Sequence, residues 1–263
     1  MMLRGVLPRL LVLATSLLLL AACTAQPTPL VTQPPAASSP TSPPVPTDIP
    51  PTIEITQAPI LAVTDTPAAL PPTADPYQDA IARGAALLES GDLAGAIAAF
   101  DQAIALNPNG SVAYSQRGWA RFENNDLDGA IADFDQAIAL DPTNAQAYNG
   151  RGAAHARKGD VDLAISNFDQ AIALQPDYAE AYTNRAITFA GLHELEKSLA
   201  DFNQAAILDP NDPDIYYNRA LLYILKGNND LAIADLRKVL ELSSDAAVRQ
   251  KVEDYLQQLG ATP

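Results

Sequence analysis

Residues 134–142 read FDQAIALDP, and nearly the same phrase stands at 100–108 (FDQAIALNP), 168–176 (FDQAIALQP) and 202–210 (FNQAAILDP). The closing prolines, Pro108, Pro142, Pro176 and Pro210, fall 34 residues apart. A fixed period of this length means one supersecondary unit copied and stacked. Working outward from the phrase, five copies align: 77–110, 111–144, 145–178, 179–212 and 213–246.

Within each copy, apolar residues recur at helical spacing in two runs separated by a turn. The turns read GD, ND, GD, HE and GN at 91–92, 125–126, 159–160, 193–194 and 227–228. Asp92, Asp126 and Asp160 are placed to cap the second helix, because a carboxylate oxygen accepts from its orphan N–H groups. Asp75-Pro76 and Asp212-Pro213 read as cap and first-turn proline for the first helices of copies one and five. The proline after the second helix stops it in the first four copies, and Ser244 replaces it in the fifth, as expected where the array ends. Each unit is therefore expected to be a helical hairpin.

The columns carry a resemblance. A tyrosine opens the first helix (Tyr114, Tyr148, Tyr182, Tyr216; Ala80 in copy one), and a small residue follows four later (Gly84, Gly118, Gly152, Ala186, Ala220). The second helix carries a small residue (Ala96, Ala130, Ala164, Ser198, Ala232), then a large one (Phe100, Phe134, Phe168, Phe202, Leu236). This pattern resembles the tetratricopeptide repeat over about 170 residues. The resemblance implies an all-α, right-handed α-solenoid of five hairpins. Late in the first helix Arg121 and His155 depart from the family's large apolar residue, which Leu87, Phe189 and Tyr223 keep. Ala246 to Leu259 reads as a further amphipathic helix, so 247–263 is expected to be a capping helix and tail that closes the open end.

One column is arginine in every copy: Arg83, Arg117, Arg151, Arg185 and Arg219. Asp133, Asp201 and Asp235, or Asp101, Asp135 and Asp169, are the partners expected on second helices, giving a bracing ladder. The functional alternative is an anion-binding ridge.

The N-terminal part is of another kind. Arg4 and Arg9 precede the apolar run LLVLATSLLLL at 10–20, too short for a membrane span but right for a signal-peptide core. It ends in Leu20-Ala21-Ala22-Cys23, which resembles the bacterial lipobox; 1–22 would then be a lipoprotein signal peptide and Cys23 the lipidated residue. An ordinary signal peptide with Cys23 incidental is the competing reading. Residues 24–76 hold 15 of the chain's 22 prolines and no Lys or Arg, so regular helix and sheet are excluded there. As a lipidated, Pro/Thr-rich tether, 23–76 reaches roughly 160 Å at most. It reads as a spacer, with O-glycosylation the sharper alternative.

Charge narrows the partners. Residues 77–263 hold 27 acidic and 14 basic side chains, a net of −13, which argues against nucleic acid and against adsorption to anionic lipid. With one cysteine no intramolecular disulfide can form. His155 and His193 lie in different copies, and no nucleophile has a base in sequence context, so no catalytic, metal or cofactor site is expected. Asn124, Asp126, Asp128, Gly129 and Asp135 mimic a calcium loop, but Asp128 to Asp135 fall inside the second helix of the repeat register and cannot wrap one ion.

Members of the resembled family present first helices along a concave wall and bind protein segments there. Carried over by column, the partner-binding groove here takes in Gln78, Ser115, Gln116, Trp119, Phe122, Asn149, Arg157, Thr183, Asn184, Ile187, Tyr217, Asn218 and Leu221. Trp119, the sole tryptophan, is the expected anchor, with packing against the next copy as the competing role. Asn184 and Asn218 are expected to pin a peptide backbone through their amides. The lysines with which chaperone-binding members clamp a terminal carboxylate are absent from the matching columns. The expectation is a lipid-anchored, extracytoplasmic scaffold for a protein or peptide partner, in envelope assembly, pilus biogenesis or cell-wall enzyme recruitment. A small-molecule or glycan-binding lipoprotein and a self-associating structural array are the alternatives.

Overall fold

A computed structural model describes residues 75–262. The expected signal peptide, Cys23 and the tether up to 74 lie outside the described residues. Within them the protein is helical throughout. The elements are α1 (Pro76–Glu89), α2 (Leu93–Leu106), α3 (Ser111–Glu123), α4 (Leu127–Leu140), α5 (Ala145–Lys158), α6 (Val161–Leu174), α7 (Ala179–Gly191), α8 (Leu195–Leu208), α9 (Pro213–Leu225), α10 (Asn229–Leu242) and α11 (Ala246–Gln258). They form five antiparallel hairpins followed by the closing helix.

Most hairpin turns follow from local chemistry. The first turn residue has positive φ each time: Gly91 (80°), Asn125 (60°), Gly159 (89°), His193 (58°) and Gly227 (73°). Glycine meets that demand without steric cost, and Asn125 and His193 occupy it as non-glycine residues. Asp92 and Asp126 then cap the second helices, accepting from the Gly95 and Gly129 amides at 2.9 and 3.1 Å. Asp75 and Asp212 accept from the Tyr77 and Asp214 amides at 2.9 Å, as expected. Asp160 departs from expectation. It stands at the N-cap of α6 but makes no capping bond, because its carboxylate turns to Nδ1 of His155, 3.2 Å away.

The hairpins close through large-against-small packing. Phe100, Phe134, Phe168 and Phe202 are essentially fully buried, each contributing about 2 kcal/mol from area removed from water. A Cβ built on Gly84, Gly118 or Gly152 would meet the corresponding ring at 2.5, 2.9 and 2.7 Å, so glycine there is a packing requirement. The core crosses the joints between hairpins. Trp119, Phe122 and Phe134 of the second unit pack with Ala147, Ala153 and Ala154 of the third. Val252 and Leu256 of α11 are fully buried against Leu236 and Val239, so α11 covers the end of the array.

Successive first helices approach one another (α1 with α3, α3 with α5, α5 with α7, α7 with α9), whereas successive second helices make no such approach. An array close-set on one side and splayed on the other curves. The first helices line the inner wall, and the second helices form the outer side.

Candidate functional site: the inner wall and the arginine ladder

The arginine column is a structural ladder. Arg117 spans two hairpins. Its Nε and Nη2 donate to the two oxygens of Asp133 at 2.9 and 2.6 Å, and its Nη1 donates to Asp101 of the preceding unit at 2.5 Å. Arg185 repeats this with Asp201 (2.7 and 2.7 Å) and Asp169 (2.5 Å). Arg219 holds Asp235 with two bonds at 2.8 and 2.7 Å and reaches Asn203 at 2.9 Å. Both expected sets of aspartates therefore serve, one within the unit and one across the joint. The planar guanidinium allows it, since one edge forks onto a carboxylate while the other nitrogen points away. Arg83, at the start of the array, donates to Gln102 instead. Arg121, one helical turn beyond Arg117, adds a second cation to Asp133 at 2.9 Å.

On the inner wall, burial sorts the expected groove residues. Gln78 is exposed, and Gln116, Arg157, Thr183 and Tyr217 are half-buried. Ser115, Phe122, Asn149, Asn184, Ile187, Asn218 and Leu221 are buried. Trp119 is only 3 % exposed, and its ring stands edge-on to Phe122 and Phe134, with centroids 5.6 and 5.3 Å away. The expected open anchor is thus a core residue of the wall. The reason is volume: Ala153 of the next hairpin and Gly150 leave room into which the indole and Phe134 close. Asn184 and Asn218 likewise spend their amide protons inside the protein, on Asn149 Oδ1 (2.9 Å) and the Asp214 carbonyl (2.8 Å). Tyr217 packs edge-on to Tyr255 of α11, 6.4 Å between centroids, so it also ties the closing helix to the wall.

Two polar groupings on this wall were not legible in the sequence. Asn149 donates to Tyr178 Oη and Glu180 Oε1, both at 3.2 Å, and Tyr178 Oη lies 3.2 Å from Glu180 Oε2. Burial pushes the Glu180 carboxyl up to about 8, against the lowering pull of those two partners. Further along, the Arg157 guanidinium lies 3.7 Å from the centroid of the Phe122 ring and donates to the Phe122 carbonyl at 2.9 Å. Burial raises Glu123 and lowers Arg157 from their ordinary values, each partly offset by the charge of the other.

Buried side-chain atoms lacking a hydrogen-bond partner among the described residues are Ser115 Oγ, Trp119 Nε1, Glu123 Oε1, Arg157 Nε and Asn218 Oδ1. All five belong to the first helices α3, α5 and α9. Such atoms are rare in folded proteins and cost about 1–3 kcal/mol each. The inner wall concentrates unmet hydrogen-bonding capacity.

The described residues hold no group of three or more His, Cys, Asp and Glu side chains arranged for a metal ion, and no helix long and apolar enough to cross a membrane.

Comparison with known proteins agrees with this architecture. The chain matches the family described as TPR repeat over 118–159 and 192–227, and tetratricopeptide repeat families over 79–109, 145–178 and 213–245. No curated protein matches it. Among solved structures it is similar to TTC0263, a thermophilic TPR protein of Thermus thermophilus, at 25% identity and a TM-score of 0.63, covering 69% of this chain and 99% of that one. MamA is similar at 27% identity and a TM-score of 0.51, covering 60% and 92%. Pseudomonas aeruginosa pilF shares the fold at 15% identity, with a TM-score of 0.60 and coverage of 70% and 91%. With its 34-residue period, its five stacked hairpins and these matches, the chain belongs to the tetratricopeptide repeat family.

Proposed function

We propose that this protein is a lipid-anchored scaffold outside the cytoplasm, and that its inner wall takes a protein segment. The observation that carries the wall is the set of polar side chains that stay exposed or half-buried along the first helices, Gln78, Gln116, Thr183 and Tyr217. An extended peptide brings a donor and an acceptor at each residue, and the amides and hydroxyls of these side chains can meet both. The anchor rests on Leu20-Ala21-Ala22-Cys23 at the end of the apolar run, and the reach on the proline-rich stretch that follows. The reading also takes the protein to be non-catalytic, serving envelope assembly, pilus biogenesis or recruitment of cell-wall enzymes.

Capture of envelope proteins by the whole chain tests the wall. The control is a variant with Gln116→Arg and Thr183→Arg, two half-buried wall positions where a longer side chain obstructs a groove while leaving the core in place. A protein bound by the native chain and lost from the variant at unchanged helicity supports the reading. Equal capture by both overturns the inner wall as the binding face. Cys23→Ser should release the chain from the membrane fraction, and retention there overturns the lipid anchor.

A further inference from the structure

The third rung of the arginine ladder is incomplete, and the break coincides with a crevice. Where the second, fourth and fifth units place Asp133, Asp201 and Asp235, the third places Asn167. Its Oδ1 accepts from Arg151 Nε at 2.8 Å. The other atom of the amide is a donor and cannot receive a second guanidinium proton. It turns instead to the Leu163 carbonyl at 2.7 Å. Arg151 keeps its cross-joint bond to Asp135 at 2.5 Å but has no carboxylate on the Nη2 edge. In the complete rungs that edge is held at 2.6–2.7 Å.

The second departure is His155, one helical turn beyond Arg151, where the fourth and fifth units carry Phe189 and Tyr223. In those units the aromatic ring faces the guanidinium at 6.0 Å. Here the smaller imidazole is drawn by Nδ1 towards Asp160. On the outer side, a crevice of about 510 Å³ lies between α4 and α6 over α5. Arg151, His155, Asn167, Tyr148 and Ser166 line it, with Asp135 also on its wall. Tyr148 supports the guanidinium, with its ring centroid 5.4 Å from Cζ.

We propose that this crevice is a binding site for a compact oxyanion, a carboxylate or a phosphate group, which supplies the acceptor that Asn167 withholds from Arg151. The charge balance favours it. Arg185 is matched by two carboxylates, Asp201 and Asp169, and Arg219 by one, Asp235, which forks onto its Nε and Nη2. The one carboxylate on Arg151, Asp135, sits on Nη1 and leaves that forked edge without a charge. A ligand carboxylate would return the third rung to the composition of the fourth. The Ser166 hydroxyl, the Gln170 amide and the imidazole are further hydrogen-bonding groups on the same crevice. The site is on the opposite side from the inner wall and does not depend on what that wall binds.

The test is the thermal midpoint of the whole chain, titrated with inorganic phosphate and separately with succinate, against sodium chloride at matched ionic strength. Asn167→Asp rebuilds the rung found in three other units and keeps the fold while occupying the guanidinium edge. Arg151→Lys keeps the charge and removes the fork. The native midpoint should rise saturably with at least one of the two anions, as expected when ligand binds only the folded state. The rise should vanish in Asn167→Asp and need roughly tenfold more ligand in Arg151→Lys, a loss of about 1.4 kcal/mol. A response to phosphate alone or to succinate alone would identify the ligand source. An equal rise in Asn167→Asp, or none in the native chain, overturns the proposal.

Discussion

Asn184 donates its side-chain amide to Asn149 Oδ1, 2.9 Å away, across the joint between the third and fourth hairpins. Asn149 is fully buried and passes its own amide protons on to Tyr178 and Glu180. The joint is thus held by a polar chain that ends on a carboxyl group. Such a network is favourable only while each member stays satisfied.

Stability should therefore depend on pH through Glu180. Its folded value of about 8 lies above the ordinary 4.5. Below the lower value both states hold the proton and it has no effect. Between the two the unfolded chain releases the proton while the folded chain keeps it, so stability falls as pH rises, by up to about 1.4 kcal/mol per unit. Above the upper value the loss is complete. Glu180→Gln should flatten this slope between pH 5 and 8 in urea titrations, and an unchanged slope would assign it elsewhere.

Breaking a complete rung should be costly. Asp201→Ala removes both forked bonds from the half-buried Arg185, leaves it only Asp169, and should lower stability by about 2 kcal/mol. Asp169→Ala removes the exposed partner of the same arginine and should cost less than about 1 kcal/mol. Paired chemical denaturation of the two variants checks the order, and equal losses would contradict it.

At Gly150 a Cβ would lie 2.3 Å from Cζ of Phe134. Gly150→Ala should force the ring aside and cost about 1–3 kcal/mol. The thermal midpoint reads the change, and a neutral result would mean that the second joint repacks freely.

Trp119→Ala should act on stability. Removing a side chain 3 % exposed and packed between Phe122 and Phe134 should cost about 3–5 kcal/mol, seen as a lower urea midpoint. Unchanged stability with lost partner capture would restore Trp119 as an open contact.

Much of the architecture was legible because it is local to one 34-residue unit. The phenylalanine column, the glycines opposite it, the caps Asp92 and Asp126 and the closing helix all follow from helical spacing and from residues a few positions apart. The arginine ladder was legible too, since its two partners recur at a constant offset in neighbouring units. Where a single copy departs from its column, the outcome was harder to read. His155 draws Asp160 off its cap, whereas Arg121, which stands in the same column of the second unit, lies 3.9 Å from Asp126 and leaves that cap in place.

What the sequence by itself determined is the period, the hairpin, the number of units, and a lipobox-like Cys23 after an apolar run. What only the tertiary structure decided is which inner-wall side chains remain in reach of a partner, and which polar groups meet across a joint. Trp119 carries the same sequence signal whether it faces a groove or a core. Its fate is set by the volumes of Gly150 and Ala153 on the next hairpin and by how closely α3 and α5 approach. Glu180 and Asn149 are 31 residues apart, so their meeting depends on how one hairpin is set against the next, to which every buried joint in the array contributes.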